Sequence, residues 1–333
     1  MKSFKSKVCN LSGKHRVIAK TISSFLFLII ACLACSPEKN EIFLKGMASY
    51  EDEQYRTAIT YFTDAIKIEP GNAELYFYRA KAKMQLDSCE DAIEDYSRAI
   101  ILDKTKADYF INRGLANISC QYYYSAIFDF DYAEVLDSSN AQIYFNRAYA
   151  KESFEDYTGA IEDYTTAISF DSSNYKYFMN RGLLFSFLGD SQNAVKDFTS
   201  AISIDTRNIL AYKNRGDEYF QQGKLSEAVD DYSSAIAIEP ENLPLYYSRA
   251  ETKIGLNEFL AAAVDYTYII SLNSKDATAY YNRGICYANL EMKTNACDDF
   301  KRAGELGLFE AYQVIKEYCE EKNKPKVKPK KWN

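Results

Sequence analysis

Residues 144–168 read Tyr144-Phe-Asn-Arg-Ala-Tyr-Ala-Lys-Glu-Ser-Phe-Glu-Asp-Tyr-Thr-Gly-Ala-Ile-Glu-Asp-Tyr-Thr-Thr-Ala-Ile168. Tyr144, Arg147 and Ala148 mark one helical face. Ala160, Tyr164, Ala167 and Ile168 mark another, at spacings of four, three and one. Between them, Glu152-Ser-Phe-Glu-Asp-Tyr157 predicts a tight helix-to-helix turn, so the stretch reads as one helical hairpin. The same arginine recurs as Arg79, Arg113, Arg147, Arg181, Arg215, Arg249 and Arg283, each 34 residues after the last. Sixteen residues downstream of each runs a second series: Asp95-Tyr96, Asp129-Phe130, Asp163-Tyr164, Asp197-Phe198, Asp231-Tyr232, Asp265-Tyr266 and Asp299-Phe300. Seven matches in one unbroken register indicate a solenoid, in which each hairpin buries its apolar faces against its neighbours. Turn and capping residues fall at the boundaries, among them Glu69-Pro-Gly-Asn72, Asp171-Ser-Ser-Asn174 and Glu239-Pro-Glu-Asn242.

These residues resemble the tetratricopeptide repeat (TPR) family, whose pattern has an aromatic at position 4, small residues at 8 and 20, an aromatic at 24 and Ala at 27. Position 8 is Gly46, Ala80, Gly114, Ala148, Gly182, Gly216, Ala250 and Gly284, and position 20 is Ala58, Ala92, Ala126, Ala160, Ala194, Ala228, Ala262 and Ala296. Small side chains there let two helices approach closely, and the ring four residues later fills the space between hairpins. The resemblance implies an all-α, right-handed alpha-alpha superhelix, a TPR solenoid of eight 34-residue helical hairpins over 39–310. Ser49 and Ile269 depart from the pattern locally. Residues 308–321 add one amphipathic segment, read as a C-terminal capping helix over 311–321.

Six basic residues and no acidic one precede the apolar run Phe25–Cys35. That run is too short for an ordinary spanning helix of about twenty residues, and it reads as an export signal over 1–34. Ser36-Pro-Glu-Lys-Asn-Glu follows it. The segment resembles a bacterial lipoprotein signal, which implies lipidation at Cys35, or alternatively at Cys32, and an exported, membrane-anchored protein of the cell envelope. Residues 35–38 read as a short linker. Loss of 1–34 leaves 34 basic against 47 acidic residues, a net charge of −13, which opposes nucleic acid and anionic bilayers as nonspecific partners. Residues 322–333 carry six lysines and read as a basic flexible tail.

The chemistry-bearing residues point away from catalysis. The single histidine, His15, lies in the export signal, and no phosphate loop, serine-nucleophile elbow or metal constellation is present. The reading is therefore no enzyme, no cofactor and no metal. A charged pair repeated sevenfold is an architectural demand, with Arg and Asp pairing in every hairpin. Of Cys89, Cys120, Cys286, Cys297 and Cys319, two pairs, Cys89/Cys120 and Cys286/Cys297, could meet, while buried reduced thiols are the expectation.

The resemblance places a concave partner-binding groove on the first helices, at repeat positions 2, 5, 9, 12 and 13. Mapped here, its apolar members are Phe43, Met47, Tyr50, Phe77, Met84, Ile111, Leu115, Phe145, Tyr149, Met179, Leu183, Phe187, Phe220, Tyr247 and Tyr281. The groove lacks the Lys/Arg and Asn cluster with which some family members clamp a terminal carboxylate, so apolar and aromatic anchors are expected to dominate. The expected function is a noncatalytic protein–protein interaction scaffold holding a peptide or partner protein. The alternative is a structural or assembly subunit of a cell-envelope complex, working through its convex face or ends.

Overall fold

The computed structural model describes residues 37–320. The expected signal over 1–34, both lipidation candidates and the tail over 322–333 lie outside the described residues. Two compact units divide the chain after Ser138. The first holds three helical hairpins: α1 (Pro37–Glu51) with α2 (Tyr55–Ile68), α3 (Ala73–Met84) with α4 (Cys89–Leu102), and α5 (Ala107–Ser119) with α6 (Tyr123–Leu136). The second holds five: α7 (Ala141–Ser153) with α8 (Tyr157–Phe170), α9 (Tyr175–Phe187) with α10 (Ser191–Ile204), α11 (Ile209–Gln221) with α12 (Leu225–Ile238), α13 (Leu243–Gly255) with α14 (Phe259–Leu272), and α15 (Ala277–Asn289) with α16 (Lys293–Glu305). A short α17 (Glu310–Val314) and a π-helical turn (Ile315–Cys319) follow. No strand occurs among the described residues.

Side-chain caps fix several of the helix starts. Asn72, Asn140 and Asn174 accept a hydrogen bond from the backbone N–H two residues on, and Asp156, Asp190 and Asp276 from the one three residues on. Within every hairpin the first helix ends on a residue with positive φ. Glu53, Asp87, Gln121, Glu155, Gly189, Gly223, Asn257 and Glu291 all occupy this register position. The closure there is of the Schellman type: Asp156 N–H donates to the Lys151 carbonyl at 2.8 Å and Glu155 N–H to Glu152 at 3.0 Å.

The core of each hairpin is the small–aromatic–small triplet of the second helix. Ala160, Tyr164 and Ala167 are fully buried, as are Ala194, Phe198 and Ala201. Ile269, at a site where the other hairpins carry Ala, is also fully buried, and Ser49 is buried as well. The facing glycines permit the contact. A Cβ on Gly182 would lie 2.9 Å from Phe198 Cε1, and one on Gly46 2.7 Å from Phe62 Cε1. In the cap, Ala311 is buried and the Tyr312 hydroxyl donates to the Gly304 carbonyl at 3.0 Å.

The cysteines correct the expectation of reduced thiols. Cys89 opens α4 and Cys120 caps α5, and the two form a disulfide with Cα atoms 5.8 Å apart. Three repeats on, the same two register positions make a hydrogen bond instead: Gln222 donates to Ser191 Oγ at 3.1 Å. Cys297 bonds Cys319, again with Cα atoms 5.8 Å apart, rather than Cys286. The π-helical turn brings Cys319 back onto α16, whereas Cys286 stays free and fully buried.

Candidate protein-binding surface

A rigid ionic frame lies beneath any surface these helices present. In α9, Arg181 donates from Nε to Asp197 Oδ2 at 2.8 Å and from Nη2 to Oδ1 at 2.7 Å, a two-toothed pairing with α10. Its remaining Nη1 reaches back to Thr165 Oγ1 of the preceding hairpin at 2.8 Å. One guanidinium thus ties three helices together. Arg79, Arg113, Arg215, Arg249 and Arg283 do the same, reaching back to Thr63, Ser97, Thr199, Ser233 and Thr267. Arg147 grips Asp163 with the same pair of bonds. The hydroxyl series was missed in the sequence. Its signal is the triplet Asp-aromatic-Ser/Thr, as in Asp163-Tyr164-Thr165 and Asp197-Phe198-Thr199.

The residue four after each arginine tunes this frame. Lys83, Lys151 and Lys253 add a second cation to Asp95, Asp163 and Asp265 at 2.7–2.8 Å. Phe185, Tyr219 and Tyr287 instead lay a ring against the guanidinium, 5.8–5.9 Å from its carbon. Asn117 donates to Asp129. Burial pushes the Asp129 carboxyl above its usual range, against the opposing pull of Arg113 and of the Asn117 bond.

The nominated groove residues divide by depth. Ile111 and Met179 are buried in the hairpin cores. Phe43, Phe77, Phe145, Tyr247 and Tyr281 share position 5 and are half-buried; Phe43, Phe77 and Phe145 wedge between hairpins, and the Tyr247 hydroxyl reaches Asp276 of the next one. Phe77 meets Tyr96 and Tyr109, Phe145 meets Tyr164 and Tyr177, Phe43 meets Phe62 and Tyr78, Tyr247 meets Tyr266, and Tyr281 meets Phe300. Met47, Tyr50 and Met84 are half-buried too, Tyr50 against Tyr55. Leu115 and Phe220 stand at the edge of exposure.

The most open are Tyr149, Leu183 and Phe187, at 45, 44 and 69 %. Tyr149 and Leu183 take the same position in successive hairpins of the second unit, and Phe187 lies one turn beyond Leu183, against Tyr157. Carboxylates also lie on first helices, Glu152 on α7 and Asp217 on α11. Glu152 accepts from the Tyr164 hydroxyl at 2.9 Å, and Asp217 from Lys213 and Tyr232. Burial pushes the Glu152 carboxyl upward, and the Tyr164 bond only partly offsets it. No metal-binding group of His, Cys, Asp or Glu occurs among the described residues. No described helix is long and apolar enough to cross a membrane.

A second apolar feature lies on the second helices. At two successive outward register positions the sequence places polar pairs such as Glu90 and Glu94, Thr158 and Glu162, Gln192 and Lys196, and Ser226 and Asp230. In α6 the same positions carry Tyr124 and Phe128, and in α14 Leu260 and Val264, all more than half exposed. Setting the 34-residue repeats side by side at these two positions would have revealed it.

A TPR repeat model matches residues 216–253, and tetratricopeptide repeat models match 43–107, 141–174, 175–208 and 277–306. No curated protein sequence matches the chain. Among solved structures, the C-terminal part of a TPR repeat-containing protein from Cytophaga hutchinsonii covers 82 % of this chain and 99 % of its own, at 17 % identity and a TM-score of 0.58. A tetratricopeptide repeat protein from Parabacteroides merdae covers 74 % of this chain and 96 % of its own, at 20 % identity and a TM-score of 0.51. At these identities the likeness concerns the fold alone. Hairpin register, buried triplets and sequence matches agree that the chain carries tetratricopeptide repeats, and its described residues have the all-α TPR solenoid fold.

Proposed function

We propose that the protein is a noncatalytic scaffold that binds a peptide or partner protein on the concave, first-helix face, and that it is exported and lipid-anchored at the bacterial cell envelope through Cys35 or Cys32. The observation that carries the binding reading is the exposed trio Tyr149, Leu183 and Phe187, held on helices that the Arg–Asp frame makes rigid. A rigid apolar surface loses little conformational entropy when a partner covers it. The two disulfides support export, since such bonds persist in oxidising compartments.

The test introduces a photo-crosslinking residue at Leu183 or Phe187 in native cells. One protein partner should be captured at both positions, and capture should disappear in L183E/F187E with helicity unchanged. Capture that persists in the double variant would remove this face as the binding surface. Mass spectrometry of the mature amino terminus tests the anchor separately: an unlipidated terminus would sink it and leave the scaffold standing.

A second reading, an assembly subunit working through its outer face, is favoured by the apolar outer positions of α6 and α14. Crosslinks from Phe128 or Val264, and none from Leu183, would select it.

A further inference from the structure

We propose that the hollow over Asp129, on the outer side of the third hairpin, seats the ammonium of a lysine side chain presented by a partner protein. Sister hairpins fill the same seat from within. In the second, Lys83 Nζ lies 2.7 Å from Asp95 Oδ2 and donates to the Asp91 carbonyl at 3.1 Å. Lys151 and Lys253 reach Asp163 and Asp265 in the same way at 2.8 Å. In the third hairpin the register puts Asn117 in the lysine's place, with Asp129 and Ser125 where Asp95 and Asp91 stand. Of the seven hairpins with this aspartate, it alone has neither a lysine nor an aromatic ring at that position. Asn117 reaches Asp129 Oδ2 at 2.9 Å with a shorter side chain. A hollow of about 400 Å³ opens beside it, walled by Asn117, Ser125 and Asp129, by Tyr124 and Phe128, and by Ile93 of α4.

The chemistry of the walls selects the occupant. Asp129 is 1 % exposed, and burial holds its carboxyl above the usual range despite Arg113 and Asn117, so a further cation relieves a cost that the fold leaves standing. Arg113 also lines the hollow and does not bar a cation, because Arg79, Arg147 and Arg249 grip carboxylates that lysines share. Tyr124 and Phe128, 71 and 52 % exposed, stand where the second hairpin carries Glu90 and Glu94. Their rings attract an ammonium and cover its alkyl stem. The occupants within the chain are all lysines bonding through one nitrogen, so the seat suits a compact ammonium better than a guanidinium fork. The inference rests on the outer-face reading of α6 and uses none of Tyr149, Leu183 and Phe187. A partner that crosslinks from Phe128 without using this seat would fail the inference and keep that reading.

The probe is the peptide acetyl-Ala-Lys-Ala-amide, followed by saturation-transfer NMR with the purified full chain. We expect transfer strongest at the lysine ε-methylene, none to the matching norleucine peptide, and severalfold weaker transfer to n-butylammonium, which lacks the flanking chain that the two rings would cover. N117K should supply the ammonium from within, raise Tm and abolish transfer. F128S, at an exposed site, should weaken transfer severalfold with unchanged far-UV circular dichroism. No transfer to the lysine peptide, equal transfer to the norleucine peptide, or transfer that both variants leave intact would each overturn the proposal. Equal transfer to n-butylammonium would assign the seat to a free small amine and overturn the partner's lysine.

Discussion

The charged residues that repeat through this chain hold it together, and their individual contributions are separable. Asp197 is 4 % exposed and grips Arg181 with two bonds, so Arg181→Ala strands a buried carboxylate and should cost about 3–5 kcal/mol. Replacing both partners by leucine should recover most of that loss, because no buried charge is left unpaired. Chemical denaturation of the two variants distinguishes these outcomes, and equal losses would refute the ion-pair reading. Thr165→Ala removes only one neutral acceptor and should cost about 1 kcal/mol. Glu152 offers a test of sign. Its folded pKa lies above its ordinary value of 4.5, so the folded state holds the proton more tightly than the unfolded chain. Stability from this group is therefore present below pH 4.5 and lost as the pH rises through the folded value. Glu152→Gln keeps an acceptor for Tyr164 and removes the buried charge. It should raise Tm at pH 7 and leave it nearly unchanged at pH 4; a constant difference at both would contradict this.

At the scale of the helix pair, two packing solutions describe seven of the eight hairpins, and the other sets Gly216 against Tyr232. Hairpins with Ala80, Ala148 or Ala250 at position 8 pair it with Tyr96, Tyr164 or Tyr266 and with Lys83, Lys151 or Lys253. Those with Gly46, Gly114, Gly182 or Gly284 face Phe62, Phe130, Phe198 or Phe300, whose rings sit where a Cβ would be. Gly182→Ala should therefore cost about 1–3 kcal/mol by overpacking against Phe198. Ala148→Gly should cost about 1–2 kcal/mol, from helix propensity and from the loss of a fully buried methyl. Thermal melts of both report the asymmetry; a stabilised Gly182→Ala would show that the ring can give way. The hairpins were legible in the sequence because Ala160, Tyr164 and Ala167 must recur wherever two helices meet closely. Much of the groove was not. Ile111 and Met179 occupy groove positions by register, yet burial depends on how far the next hairpin closes over them, which single-chain periodicity does not encode. Phe43, Phe77 and Phe145 serve as wedges for the same reason, and register alone cannot separate a wedge from a ligand anchor.

Across the whole molecule, the disulfides are where the sequence was least legible. Cys89 and Cys120 stand 31 residues apart and meet because neighbouring hairpin turns do, whereas Cys319 reaches Cys297 through a π-helical turn that no repeat register foretells. A repeat array is held by nearest-neighbour interfaces, so a covalent link between adjacent turns stabilises mainly the interface it spans. Cys89→Ser with Cys120→Ser should lower the stability of the first unit by about 2–4 kcal/mol. Cys297→Ser with Cys319→Ser should instead loosen the cap, releasing Tyr312 from Gly304 and raising hydrogen exchange in α16 and α17 while leaving α1–α6 protected. Cys286 supplies the internal control. Burial pushes its thiol up to about 12, so almost no thiolate is available and alkylation of the native protein should spare it. In denaturant without reductant Cys286 should label while Cys89, Cys120, Cys297 and Cys319 stay protected. Adding reductant should expose those four as well. Labelling of Cys89 or Cys120 before reductant would mean that the first unit stands on its hairpin packing alone, and the support that the disulfides lend to export would fall with it.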